Sequence, residues 1–269
     1  MFDVSKTSAM MARMPQALYR YSGASGDRMK WIHAALVESN VFFSAPSGFN
    51  DPLDCRVPFN FDASTVEIER YWRPVAKEQS PGAPPSEIEK TVESLIMLSQ
   101  TVSGRNQLNE TTHRSIAKSG VLSLSTQEAN MLMWSYYAES HKGIVLRFRM
   151  NMDNLLAIPE ETLPVEVKYS IDLPCIEFYN TTWEERLLGV LGTKADAWKH
   201  ETEWRLVLVS HTGYVHVPPA MIDGVILGLR TDKDHEADIR SWVKARPVKT
   251  DILRIVHKPG SFGLEAVPA

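Results

Sequence analysis

A chain of 269 residues with 43% hydrophobic and 23% charged side chains holds enough apolar material for one sizeable domain of ordinary soluble, globular composition. Its formal net charge of −4 gives no electrostatic footprint for nucleic acid, and no apolar run approaches the roughly 20 residues a membrane helix needs. Cys55 and Cys175, in neither CxxC nor paired spacing, argue against a zinc ribbon or a disulfide scaffold, so a reducing cytoplasm is the expected compartment.

Residues 1–17 read as a leader without a signal-peptide pattern, and 18–269 as a single α+β domain. Leu18-Tyr19-Arg20-Tyr21 alternates as a short strand, with Tyr19 and Tyr21 on one face and Arg20 on the other. Asp27 is the expected N-cap of an amphipathic helix over 27–39, where Met29, Ile32, Ala35 and Leu36 recur at helical spacing. Asn40 ends that helix, and Val41-Phe42-Phe43-Ser44 follows as a strand. Phe49-Asn50-Asp51-Pro52-Leu53-Asp54 carries turn chemistry, because the residue before a proline is pushed out of the helical region. Its functional alternative is that Asn50, Asp51 and Asp54 coordinate a metal or ligand, although one carboxylate pair at i and i+3 falls far short of a full oxygen shell.

A helical insertion is expected over about 62–118. Periodicity at 64–73 meets a breaker at Ser80-Pro81-Gly82-Ala83-Pro84-Pro85, and a second helix runs from Ser86 to Gln100, with Ser86 and Glu89 as a capping box. Gly120–Ser125 is a strand ending in hydroxyls. Glu128–Glu139 reads as a helix apolar nearly all round and therefore largely buried, with His141 at its end to stabilise the helix dipole. Strands are expected at 144–148, 165–169 and 225–229, helices at 182–197 and 234–244, and a closing strand at 252–256. Short strands with helices between them and no regular βαβ repeat make the class α+β, with mixed or antiparallel sheets.

The most suggestive stretch is Trp198–Val209, a charge-dense approach that enters an apolar, β-branched run. A strand beginning near Glu203 puts Glu201, Glu203 and Arg205 on one face and Trp204, Leu206 and Leu208 on the other. Paired carboxylates raise each other's pKa unless a cation or donor sits nearby. The bland alternative makes Glu201 a solvated loop residue and Glu203–Arg205 a surface couple.

Three blocks, Phe49-Asn50-Asp51-Pro52-Leu53-Asp54, Met133-Trp134-Ser135-Tyr136-Tyr137-Ala138 with His141 and Gly143, and Glu201-Thr202-Glu203-Trp204-Arg205, together resemble a bacterial domain-of-unknown-function family with FNDPxD, MWSxYAxxHxG and ExEWR signatures. The resemblance spans residues 18 to about 256 and implies no activity by itself. A second resemblance, to ADP-ribosyltransferases of the Arg–Ser–Glu type, rests on the order Arg20, Ser123-Leu124-Ser125, Glu201-Thr202-Glu203, with Leu124 where that family has threonine.

This second resemblance implies NAD as substrate, cleavage of its nicotinamide–ribose bond and no metal. Glu203 would stabilise the charge developing on the ribose, and Glu201 would orient or deprotonate an acceptor. Arg20 would grip a phosphate or ribose, Ser123 or Ser125 would position the glutamate, and Tyr19 or Trp134 would stack on nicotinamide unless they are ordinary core aromatics. A defence or toxin-like role follows by the same analogy. Two rivals stand beside it. One is a metal-dependent nuclease built on Glu166-Val167-Lys168 and Asp153; the other is a ligand-binding sensor without turnover, built on Trp134, Tyr137 and the Glu201–Arg205 face.

Overall fold

The computed structural model describes residues 12–209 and 211–269, so residues 1–11 of the expected leader lie outside the described residues. The chain opens with β1 (Ala17–Ser22), α1 (Asp27–Val37), β2 (Asn40–Phe43) and β3 (Phe59–Asn60). Three consecutive helices follow: α2 (Thr65–Gln79), α3 (Pro85–Gln100) and α4 (Val102–Ile116). Next come β4 (Gly120–Ser125), α5 (Met131–Tyr136), β5 (Ile144–Arg149), α6 (Met152–Leu156), β6 (Thr162–Glu166), β7 (Lys168–Ser170) and β8 (Ile176–Glu177). Then α7 (Trp183–Leu191) leads to β9 (Thr193–Ala195) and β10 (Glu203–Leu208). The chain finishes with β11 (Gly213–His216), β12 (Ile222–Leu227), α8 (Lys233–Lys244), β13 (Asp251–His257) and β14 (Leu264–Pro268).

Eight strands form one sheet in the order β14-β13-β12-β5-β1-β4-β10-β6. Neighbours run antiparallel except β12 and β13, which are parallel because α8 supplies the crossover between them. The architecture is α+β with a mixed sheet, as the sequence pattern predicts. Strand alternation sorts the side chains. Leu122 and Leu124 of β4, with Trp204, Leu206 and Leu208 of β10, share a core with Ile32, Ala35 and Leu36 of α1 and Ile239 of α8. On the opposite face Val121 and Val207 join a second core with Trp72 of α2, Ile116 of α4 and Leu187, Val190 and Leu191 of α7. The leader's last part is tied down: Met14 is buried in the first core, and the Met150 N–H donates to the Gln16 carbonyl.

Several local expectations need correction. Asp27 is the first residue of α1 rather than its cap, which is Gly26, and Asp27 pairs with Lys30 instead. Asn40 starts β2, and the left-handed residue after the helix is Ser39 at φ 55°. The capping boxes sit at Ser64–Glu67 and Thr182–Glu185, not at Ser86–Glu89, where Glu89 is taken by Arg73. The helix expected over 128–139 shrinks to α5, with Leu132 and Tyr136 exposed, because Glu139, Ser140 and His141 all take positive φ and reverse the chain. His141 stacks on Trp134, its Nδ1 has no partner among the described residues, and burial lowers its pKa, so it is a neutral packing residue and not a dipole cap.

The strand expected at 165–169 divides between β6 and β7, which belong to different sheets. The helix expected over 182–197 ends at Leu191, and β14 follows the strand expected to close the chain.

One irregularity in the sheet positions the site. β1 and β4 pair at a single register position, Tyr19 opposite Ser125, and beyond it Ser44 takes up Val121 from β4 instead. The two strands therefore fork, and Arg20 reaches across the fork to donate Nη1 to the Ser123 carbonyl at 2.9 Å.

Candidate active site

Above the fork lies a cavity of about 300 Å³, the lower end of the range for small-molecule sites. Tyr19, Arg20, Ser123, Ser125, Glu201 and Glu203 all line it, so six of the seven residues that the transferase resemblance implies meet in one place. Trp134 does not. It is fully buried, edge-on to Tyr21, with Nε1 donating to the Glu128 carbonyl.

The register explains the placement. Antiparallel pairing sets Glu203 opposite Ser125 and Arg205 opposite Ser123, so these four residues share a face. Glu201 is not on the strand: it ends a 3-10 turn over Asp196–Glu201, and Thr202 follows at φ 44°. A β-branched residue in the left-handed region is a genuine outlier. Here the kink turns the Glu201 carboxylate into the same cavity as Glu203. Ser125 fixes the kink by donating its hydroxyl to the Glu201 carbonyl at 2.7 Å, and the Thr126 and Thr202 hydroxyls bond at 2.7 Å.

The acids are gathered by two cations. Arg205 is wholly buried and spends all five donors. Nε and Nη2 donate to Glu203 at 2.8 and 3.1 Å, Nη1 and Nη2 to Asp54 at 3.1 and 2.7 Å, and Nη1 to the Leu191 carbonyl at 2.7 Å. Lys194 on β9 donates to Glu201 at 2.5 Å and Glu203 at 3.1 Å, with Asp54 at 3.5 Å, and its ammonium lies 5.3 Å from the Trp198 ring centroid. The Tyr137 hydroxyl donates to the other oxygen of Glu201 at 2.5 Å, and Asn50 donates to Tyr137 at 3.3 Å. Glu201 and Glu203 are 3% and 5% exposed, which rules out both the solvated loop residue and the surface couple.

Lys194 is the functional candidate that sequence reasoning missed, and Asp54, offered there only as a possible metal or ligand group, enters instead as a partner of Arg205 and Lys194. Asp54 arrives through the Asn50–Asp54 turn, which closes as its chemistry predicts: Asp51 Oδ1 accepts the Leu53 N–H, and Oδ2 accepts Trp198 Nε1 at 2.8 Å. Cys55, at φ 59°, points its thiol at Asp54, and burial pushes that thiol well above its usual pKa. Among the described residues no group of three or more His, Cys, Asp or Glu is arranged to hold a metal ion. The three acids here close on an ammonium. Of the nuclease residues, Glu166 pairs with exposed Arg13 at 2.8 Å, and neither it nor Lys168 nor Asp153 lines the cavity.

Burial alone would raise the Glu203 pKa, but Arg205 and Lys194 outweigh it and pull the carboxyl from its ordinary 4.5 to about 2. Burial lowers Lys194, yet Glu203, Glu201 and Asp54 reverse this and hold it above its usual range. Burial also lowers Arg20, with Glu203 opposing. Since the folded Glu203 value lies below the unfolded one, its contribution is complete above about pH 4.5 and is lost as the pH falls toward about 2. The raised Lys194 contributes fully below its ordinary 10.5, so it adds no loss in that acid window. Thermal melts should therefore hold level from about pH 5 to about pH 9 and drop below about pH 4.5, with a shallower acid drop in Glu203→Gln. An acid limb of equal steepness in that variant would contradict the assignment.

Among the described residues no helix is long and apolar enough to cross a membrane. Compared with known proteins, the chain matches no family model, no curated protein and no solved structure.

Proposed function

We propose that this chain is an ADP-ribosyltransferase-like enzyme that cleaves the nicotinamide–ribose bond of NAD and passes ADP-ribose to an acceptor. The reading is carried by one observation: three neighbouring strands, β1, β4 and β10, bring Arg20, Ser123 and Glu203 to one cavity. The three blocks that resemble the bacterial domain-of-unknown-function family meet there too, through Asn50 and Asp54, Tyr137, and Glu201 with Glu203 and Arg205. That convergence supports membership of the family, and the analogy extends to a defence or toxin-like role in a bacterial cytoplasm.

As the bond breaks, its electron pair leaves with nicotinamide and positive charge grows on the ribose, as in glycoside cleavage. A carboxylate held near pKa 2 is a poor proton acceptor but a permanent anion, so Glu203 acts by electrostatic stabilisation of the charged ribose. Glu201 is better placed to receive the acceptor's proton. Its two hydrogen-bond partners among the described residues, Tyr137 and Lys194, occupy half of a carboxylate's roughly four acceptor positions. Arg20 binds phosphate through the donors that Ser123 leaves free. Tyr19 forms a wall for nicotinamide in place of Trp134.

A second reading, a nucleotide sensor without turnover, draws on the saturation of Glu203. Arg205 twice, Lys194 and the Ser123 hydroxyl fill its acceptor positions, leaving none for a ribose hydroxyl until one of them moves. Incubation with adenylate-labelled NAD and cell lysate separates the two. An enzyme moves label into ADP-ribose or onto an acceptor, whereas a sensor melts at higher temperature with NAD and leaves it intact. Unchanged NAD with no thermal shift would contradict both.

A further inference from the structure

The cavity is electrically polarised along its length. At its floor, three carboxylates (Asp54, Glu201, Glu203) against two cations (Lys194, Arg205) leave one formal negative charge. Arg20 stands between this floor and the mouth, where it feels both Glu203 and Arg28, and Arg28 is exposed at the mouth on the first turn of α1. Among the described residues neither guanidinium has an ion pair within 4.0 Å. Glu139 feels Arg28, but its carboxylate is occupied by the Ala24 N–H at 3.1 Å. Two unpaired guanidiniums facing one cavity repel each other unless an anion lies between them.

One helical turn beyond Arg28, Trp31 also lines the cavity and is 44% exposed. It is held flat by Phe42, with ring centroids 5.8 Å apart and planes 5° from parallel, and Phe42 is in turn braced edge-on by Tyr214 at 5.3 Å. An exposed indole stacked on one side and continuous with a cationic pocket is a platform for a flat π-system.

We infer that Arg28 and Trp31 form a second subsite at the cavity mouth, a diphosphate clamp shared with Arg20 and a shelf for a purine base, so that the ligand class is a nucleoside diphosphate carrying a cationic leaving base. This deepens the proposed function and rests on it. The negative floor faces the pyridinium, the two arginines face the pyrophosphate, and the indole faces the adenine. Charge order along the cavity mirrors charge order along the dinucleotide, which sets the direction in which it threads.

The experiment compares nicotinamide release from NAD, nicotinamide mononucleotide and nicotinamide riboside by the wild type, Trp31→Ala, Trp31→Phe and Arg28→Ala. Calorimetric binding of ADP-ribose is measured in parallel, and all variants are checked by thermal melting. Trp31→Ala should lower the ratio of NAD to mononucleotide kcat/KM about tenfold, the size of one stacked base, and Trp31→Phe should restore most of it. Arg28→Ala should lower the ratio of mononucleotide to riboside by a similar factor, and both alanine variants should weaken ADP-ribose about tenfold. If the wild type cleaves NAD but these ratios do not move, the subsite is wrong and the proposed function stands. If NAD is left intact while ADP-ribose binds through Arg28 and Trp31, the subsite stands and catalysis is wrong. No ADP-ribose binding at all overturns both.

Discussion

Arg205→Ala is expected to destabilise the protein by about 3–5 kcal/mol, the largest stability effect of any single substitution at the site. The guanidinium ties Asp54 directly to the β10 strand, across 151 positions of sequence, and both of its acidic partners are at least 94% buried. Removing it strands two carboxylates with only Lys194 to share, and each unpaired buried charge costs far more than the pair contributed. Arg205→Lys should recover little, because one ammonium cannot reproduce the five-donor fork. Chemical denaturation gives the number directly. A loss below about 1 kcal/mol would mean that the network is a bystander.

Glu203→Gln is expected to lower nicotinamide release by about 10²–10³-fold, the usual cost of removing one preorganised electrostatic group. Glutamine keeps the shape and one acceptor oxygen, so the cavity stays intact, but the fixed anion is gone. The substitution also replaces the carboxylate that accepts from Arg205 and Lys194 with an amide that turns N–H groups toward the same donors, which costs stability on the order of 2 kcal/mol. Both effects must be read together: a variant that is inactive because it unfolds says nothing about the carboxylate. Glu201→Gln should depress turnover less, and more for a protonated acceptor than for water, because its role is in the second half of the reaction.

Much of this site was legible in the sequence because its geometry is local. Alternation on β10 separates Glu203 and Arg205 from Trp204 and Leu206, and that pattern is the strand's own signature. The order of Arg20, the Ser123–Ser125 strand end and Glu203 likewise survives folding, since the strands that carry them become neighbours. What escaped was long-range. Lys194 hid in an expected helix over 182–197. The stop lies at Gly192, where a residue after Leu191 could have been read as a helix end, but a three-residue strand is too short to show periodicity. Asp54 was readable as part of a turn and not as the partner of Arg205, because no local pattern encodes a contact between such distant segments.

Trp134 was overvalued for the opposite reason. An aromatic in a distinctive block draws attention, and here its block serves packing through Trp134 and the cavity through Tyr137. Leu264–Pro268 is an edge strand whose residues are half-buried or exposed without strict alternation, so no period of two marks it in the sequence. The stack of exposed Trp31, half-buried Phe42 and exposed Tyr214 could not be assembled from spacing at all, since helix α1 and strands β2 and β11 each supply one ring.

The most direct measurement is nicotinamide release from NAD by the charge-balanced double variant Lys194→Met/Glu203→Gln beside the wild type. Removing one cation with one anion keeps the formal charge of the buried network at its wild-type value, so the double variant should melt closer to the wild type than Glu203→Gln does. Folded and charge-matched, it should still release no nicotinamide above background while the wild type turns over. Turnover by the folded double variant at the wild-type rate, or NAD left intact by the wild type, would contradict the assignment of Glu203 as the anion that stabilises the charged ribose.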